Sequence, residues 1–165
     1  MAKIFNFPNP VNETSARIVA GGAVLMGIAY VVTGSGWMLI PLTYGFIARV
    51  LAGPTFSPLG RIATQVITPK LSVQHRFVPG PPKRFAQGVG AAFTITASLL
   101  YISGAHSASQ IVISGLVIAA FLESALAVCL GCIAFGYLMK FGVIPQEVCE
   151  ECNNFTPRSL QTTSL

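Results

Sequence analysis

All four cysteines of this 165-residue chain lie near its C-terminus, as two C-x-x-C pairs: Cys129-Leu130-Gly131-Cys132 and Cys149-Glu150-Glu151-Cys152. At i and i+3 on a helix, two cysteines bring their Cα atoms to roughly 5 Å, from which a disulfide can close. The chemistry this allows is reversible dithiol exchange or sulfur transfer. Two pairs also offer four sulfurs, and the sixteen residues between them match a zinc-ribbon interval, so zinc held by Cys129, Cys132, Cys149 and Cys152 is the alternative. A third reading makes Cys129 and Cys132 small apolar helix residues. A working thiol needs a lowered pKa, from a helix N-terminus or nearby cations. Cys129 reads as deep in an apolar helix, and Cys149 and Cys152 are flanked by Glu147, Glu150 and Glu151. Activation is therefore expected from basic residues, with His75, Arg76, Lys83 and Arg84 lying over the end of the cysteine-bearing helix.

Glu123 is the second chemical signal, because a carboxylate within an apolar span is costly and is met by a partner or a polar path. On one continuous helix it falls about 240° from Cys129 and about 180° from Cys132, which separates it from the sulfurs. Arg49, at a matching depth, is its expected ion-pair partner, with Arg17 as the fallback. His75 and His106 are single and far apart. No phosphate loop, Ser/His/Asp arrangement or haem-attachment C-x-x-C-H is present.

The elements that must position these groups are membrane helices. Hydrophobic residues make up 53% of the chain and charged residues 9%, too few charges to solvate a globule and too much apolar content for disorder. The fold class is all-α, a polytopic membrane protein with four transmembrane helices and a short interfacial amphipathic helix. Spans are expected at about 16–33, 36–52 (interrupted by Pro41), 85–102, and from 110 to 139 as one long helix. The first reads as a span rather than a cleaved leader, with Asn12, Thr14 or Ser15 as its cap. The net charge of +5 points to membrane headgroups and not to nucleic acid.

Residues 54–84 hold Arg61, Lys70, Arg76, Lys83 and Arg84 with no acid, whereas the opposite connections, 34–36 and 103–109, hold no Lys, Arg, Asp or Glu. The positive-inside rule puts this loop and both termini in the cytoplasm, at the cell inner membrane. The organisation is then a segment 1–15, a bundle 16–140 with loop 54–84, and a tail 141–165. A reducing compartment argues against permanent disulfides and favours reversible dithiol chemistry or metal. Within the loop, Ser57-Pro58 caps a short helix closed by Pro69, with Leu59, Ile62, Ala63, Val66 and Ile67 on one face. Pro79 to Pro82 stiffen the approach to the third span. Gly142 and Pro145 allow the tail to turn back, bringing Cys149 or Cys152 within about 10 Å of Cys132. Asn9, Asn12 and Glu13 form either a helix entry or a ligand-positioning segment under the bundle.

Phe7-Pro8-Asn9-Pro10-Val11-Asn12-Glu13, Thr55-Phe56-Ser57-Pro58-Leu59-Gly60, Gly80-Pro81-Pro82-Lys83-Arg84-Phe85 and Cys129-Leu130-Gly131-Cys132 together resemble a bacterial family of small four-helix membrane proteins of unknown function. The resemblance covers nearly the whole chain. Its members are often encoded near thioredoxin-like and sulfurtransferase proteins, which implies thiol redox or sulfur work with such a partner. The plan also looks like that of four-helix membrane oxidoreductase subunits. The expected function is a membrane thiol–disulfide or sulfur-handling component. Its alternative is a non-catalytic subunit of a larger membrane complex, with the cysteines structural or zinc-bound. Substrate, cofactor and electron acceptor, quinone or protein, stay open.

Overall fold

The computed structural model describes residues 9–71, 77–145 and 148. Four helical stretches are long and apolar enough to cross a membrane: Glu13–Thr33, Gly36–Lys70, Gly80–Ile102 and His106–Leu126. A short strand β1 (Val11–Asn12) leads into α1 (Glu13–Thr33). The Asn12 side chain accepts from the backbone N–H of Thr14 at 2.9 Å, filling the orphan-donor role at the helix start. Gly34, at φ 66, closes α1 with its N–H on the Tyr30 carbonyl at 2.8 Å.

After a 3₁₀ turn (Gly36–Met38) comes α2 (Leu39–Ala52). Pro41 therefore falls in the first turn, where no N–H is needed, and marks a start where an interruption was expected. Ser57 caps α3 (Pro58–Arg61), accepting from the Gly60 N–H at 3.2 Å. The chain continues as a π-helical stretch (Ile62–Ile67) and a 3₁₀ turn (Thr68–Lys70). The packed side is the small one, with Gly60, Ala63 and Thr68 buried, and Thr68 hydrogen-bonds Ser15 of α1 at 2.8 Å. Ile62, Val66 and Ile67 are exposed beside Arg61 and Lys70, the arrangement of an interfacial helix.

Strand β2 (Phe77–Val78) pairs antiparallel with β1, Val11 opposite Val78. Helix α4 starts at Gly80 and runs to Ile102, earlier than expected, because Pro81 and Pro82 occupy its first turn. Asn9 accepts from the Gly80 N–H at 2.9 Å, so the N-terminal segment caps α4 as well as α1. Helix α5 (His106–Leu126) lies against α1 and α4, and α2 packs on α4. Tyr30, Leu42, Phe46, Ile113 and Leu116 form the core. Polar glue between helices comes from Tyr30 to Ser109 at 2.6 Å and Ser109 to the Ala97 carbonyl at 2.7 Å.

The fourth span is not continuous to Met139. Helix α5 stops at Leu126, Ala127 takes the left-handed conformation at φ 56, and α6 runs from Leu130 to Lys140. At about 16 Å, α6 is too short to cross a bilayer. It packs along the first turns of α4 instead, with Phe85 against Phe135 at 5.6 Å between ring centroids.

Candidate functional site

The break between α5 and α6 creates the site. From α1, Arg17 donates Nε to the Ser124 carbonyl at 2.9 Å and Nη2 to the Ala125 carbonyl at 3.1 Å. A guanidinium there satisfies the last carbonyls of α5 and meets the negative end of its dipole. It is spent on backbone and is no partner for Glu123. Ala127 then holds a conformation that costs a residue with a Cβ roughly 1–2 kcal/mol.

Cys129 follows in extended backbone as the N-cap of α6. Its Sγ accepts from the Cys132 backbone N–H at 3.3 Å, and the Cys132 Sγ lies 2.6 Å from it. Both cysteines are free thiols. Cys129 is thus at a helix N-terminus, where backbone dipoles favour an anion, and not deep in a helix as expected. Gly131 lets α6 approach this closely. A Cβ on it would lie 2.5 Å from the Ala86 Cβ and 2.6 Å from the Ala86 Cα, which only glycine avoids.

Ala86 and Lys83 lie one turn apart on α4, so the same contact brings Lys83 to the sulfurs. Lys83 is 7% exposed and pairs with Glu123, Nζ to Oε1 at 2.6 Å. The expected Arg49–Glu123 ion pair is therefore corrected. Lys83, read as loop, is helical, and its stem reaches Glu123 first. Arg49 donates Nε to Gln87 at 2.8 Å and Nη1 to Ser57 at 3.1 Å, over the Phe46 ring. The angular separation of Glu123 from the cysteines is corrected too, since the break at Ala127 ends the helix on which it was counted.

Both sulfurs lie outside the four spans. The Cys129 thiol is held below its ordinary pKa, first by the Cys132 hydrogen bond and further by the Lys83 charge and the Cys132 backbone N–H. Burial and the Glu123 charge oppose this. Cys132 is pushed up, by donating its proton to Cys129 and by burial. The pair is asymmetric: its surroundings favour the thiolate at Cys129 and the thiol at Cys132.

Cys132 opens on a small pocket of about 150 Å³ lined by Glu13, Pro79, Pro82 and Lys83. Glu13 thus reaches the cysteine site, while Asn9 and Asn12 act as caps. Of the basic residues expected over the sulfurs, Lys83 is there; Arg84 donates to the Val50 carbonyl at 3.0 Å, and His75 and Arg76 lie outside the described residues. Cys149 and Cys152 lie outside them as well, with the expected tail approach and four-sulfur zinc site. Among the described residues, no three His, Cys, Asp or Glu side chains gather as a metal site. Gly131 and the αL residue Ala127 were not singled out from the sequence. A glycine inside a helix is a signal for close packing, whereas Ala127 leaves no local trace.

The chain matches no curated protein and no solved structure. It does match, over residues 11–140, the family described as Domain of unknown function (DUF4395). That range runs from β1 to the last residue of α6 and takes in Lys83, Glu123, Cys129 and Cys132; the chain belongs to this family.

Proposed function

We propose that this protein is a membrane-anchored thiol–disulfide or sulfur-handling component whose working pair is Cys129 and Cys132. The observation that carries the reading is the Cys129 sulfur at the N-terminus of α6, hydrogen-bonded by Cys132, with Lys83 beside it. In the oxidised state, a thiolate of a soluble partner attacks the more exposed Cys132 sulfur from the pocket beside Glu13. The Cys129–Cys132 bond breaks, and Cys129 leaves as a thiolate on the helix N-terminus. A low-pKa thiol is the better leaving group. A second partner thiol then attacks the mixed disulfide, forming the partner's disulfide and releasing Cys132, which takes up a proton. A thioredoxin-like or sulfurtransferase protein is the partner class this suits, with the Cys149/Cys152 pair as a relay.

The bundle ends that carry Arg17, Arg61, Lys70, Lys83, Arg84 and Lys140 are one and the same end, which supports a cytoplasmic site and cytoplasmic termini at the inner membrane. Alkylation followed by mass counting tests the reading, on the chain carrying Cys149→Ser and Cys152→Ser. Two thiols that appear on reduction and vanish together on mixing with a disulfide support exchange. Two thiols equally blocked before and after reductant, and released by a chelator, would refute it.

A further inference from the structure

The dithiol has two faces. Cys132 meets the small pocket near Glu13, whereas Cys129 lines a separate cavity of about 350 Å³ enclosed by α1, α2, α4, α5 and the start of α6. Ala23, Phe46, Leu116 and Ala120 make its inner walls apolar. Its margin passes Val89 and Phe93, each 38% exposed, and Leu130, 44% exposed, on the outer face of α4 and α6. Such a mouth opens toward hydrocarbon, so what enters is dissolved in the bilayer.

Three polar side chains interrupt the apolar lining: Arg49, Gln87 and Glu123. Arg49 uses Nε and Nη1 on Gln87 and Ser57, which leaves Nη2 as a donor. Gln87 spends its Oε1 on Arg49 and keeps its amide NH₂. Apolar walls with a few convergent donors, in a space of this size, describe a small-molecule site, for which volumes of roughly 300–1,000 Å³ are usual. An acyl chain would fill the walls and leave the donors unmatched. A molecule with carbonyl oxygens on an apolar body matches both.

We propose that the cavity binds a lipid-soluble quinone, its ring carbonyls toward Arg49 and Gln87, and that this quinone oxidises the Cys129–Cys132 dithiol. The proposal rests on the thiol–disulfide reading above and names its electron acceptor. The step balances: both S–H bonds are lost, one S–S bond forms, and the quinone takes up two electrons and two protons as quinol. The two faces then separate the half-reactions. Partner thiols reduce the disulfide from the aqueous pocket, and the bilayer quinone reoxidises the dithiol from the cavity.

The test uses the full-length Cys149→Ser/Cys152→Ser chain in lipid nanodiscs, reduced, desalted and mixed anaerobically with decylubiquinone. Quinone reduction mole for mole with loss of two alkylatable thiols is expected, and none with Cys129→Ser. Gly115 borders the cavity, and a Cβ there meets the Phe93 ring edge at 3.5 Å, an ordinary contact, so the branch point of Gly115→Leu is accommodated while its side chain narrows the space. It should slow quinone reduction at least tenfold while oxidation by glutathione disulfide continues, and Ala134→Leu, on the α6 part of the lining, serves if the first variant fails to assemble. Equal quinone rates in wild type and the cavity variants would overturn the site. A wild type oxidised by glutathione disulfide but not by the quinone would overturn this inference alone. Inertness toward both would sink the thiol–disulfide reading beneath it.

Discussion

Replacing Gly131 by alanine tests whether one interhelical contact sets the chemistry of the dithiol. The added methyl would stand 2.5 Å from the Ala86 Cβ and 2.6 Å from its Cα, where ordinary contact begins at 3.4 Å. The first turn of α6 must therefore withdraw by about 0.9 Å, since the Ala86 Cα is backbone and cannot swing aside. Overpacking of this kind costs about 1–3 kcal/mol. The displacement also carries Cys129 and Cys132 away from Lys83, which sits one turn before Ala86 on the same face of α4. The Cys129 pKa should rise toward that of a free thiol. Iodoacetamide alkylation against pH, with Cys149 and Cys152 replaced by serine, reads this directly. In the parent the rate should hold as pH falls below the ordinary thiol range, because the thiolate persists there. In Gly131→Ala the fall should come at higher pH. Removing the facing methyl with Ala86→Gly should recover part of the shift. An unchanged profile and unchanged thermal stability would refute the argument, and with it the positioning role of Gly131.

The charges beside the sulfurs yield a paired expectation: Lys83→Met should raise the Cys129 pKa and Glu123→Gln should lower it, since the first removes an attracting charge and the second a repelling one. The same alkylation profile, shifted in opposite directions, checks it, and shifts of the same sign would contradict it. Ala127→Gly should stabilise the protein by about 0.5–1 kcal/mol, because glycine accepts φ 56 freely and loses only part of that gain to its more flexible unfolded chain; chemical unfolding in detergent measures it. A membrane-impermeant thiol reagent should reach a cysteine placed at Ser107 in intact cells and miss one at Ser72, and the reverse pattern would invert the bundle.

The spans and the Asn12 and Ser57 caps were legible because each has a local physical cause. Apolar length and orphan N–H groups both leave a mark in a few adjacent residues. The cysteine site was legible only as a motif. Residues 110–139 stay apolar across the break, and no glycine or proline announces Ala127, so hydropathy saw one helix where there are two. That single miss put Cys129 in mid-helix and gave Glu123 a false angular position. The double proline misled differently. Pro81-Pro82 reads as a stiff connector, yet it fits a first helical turn, and only that placement sets Lys83 on α4 facing Glu123. The Arg49–Glu123 pairing failed because matching depth is a weaker constraint than which helix face a side chain leaves from.

Arg17 and the α5 carbonyls it holds are 107 and 108 residues apart in the chain. This separation orders the biogenesis of the protein. The first helix leaves the ribosome well before the end of α5 and the cysteines behind it. Until α5 docks on α1, the break at Ala127 lacks its guanidinium clamp, and until α6 settles on α4, the sulfurs lack both the lysine and the ordered helix start. A nascent or half-inserted chain thus exposes ordinary thiols. The lowered Cys129 pKa therefore belongs to the finished bundle, and docking of α5 and α6 is what gives this thiol its character.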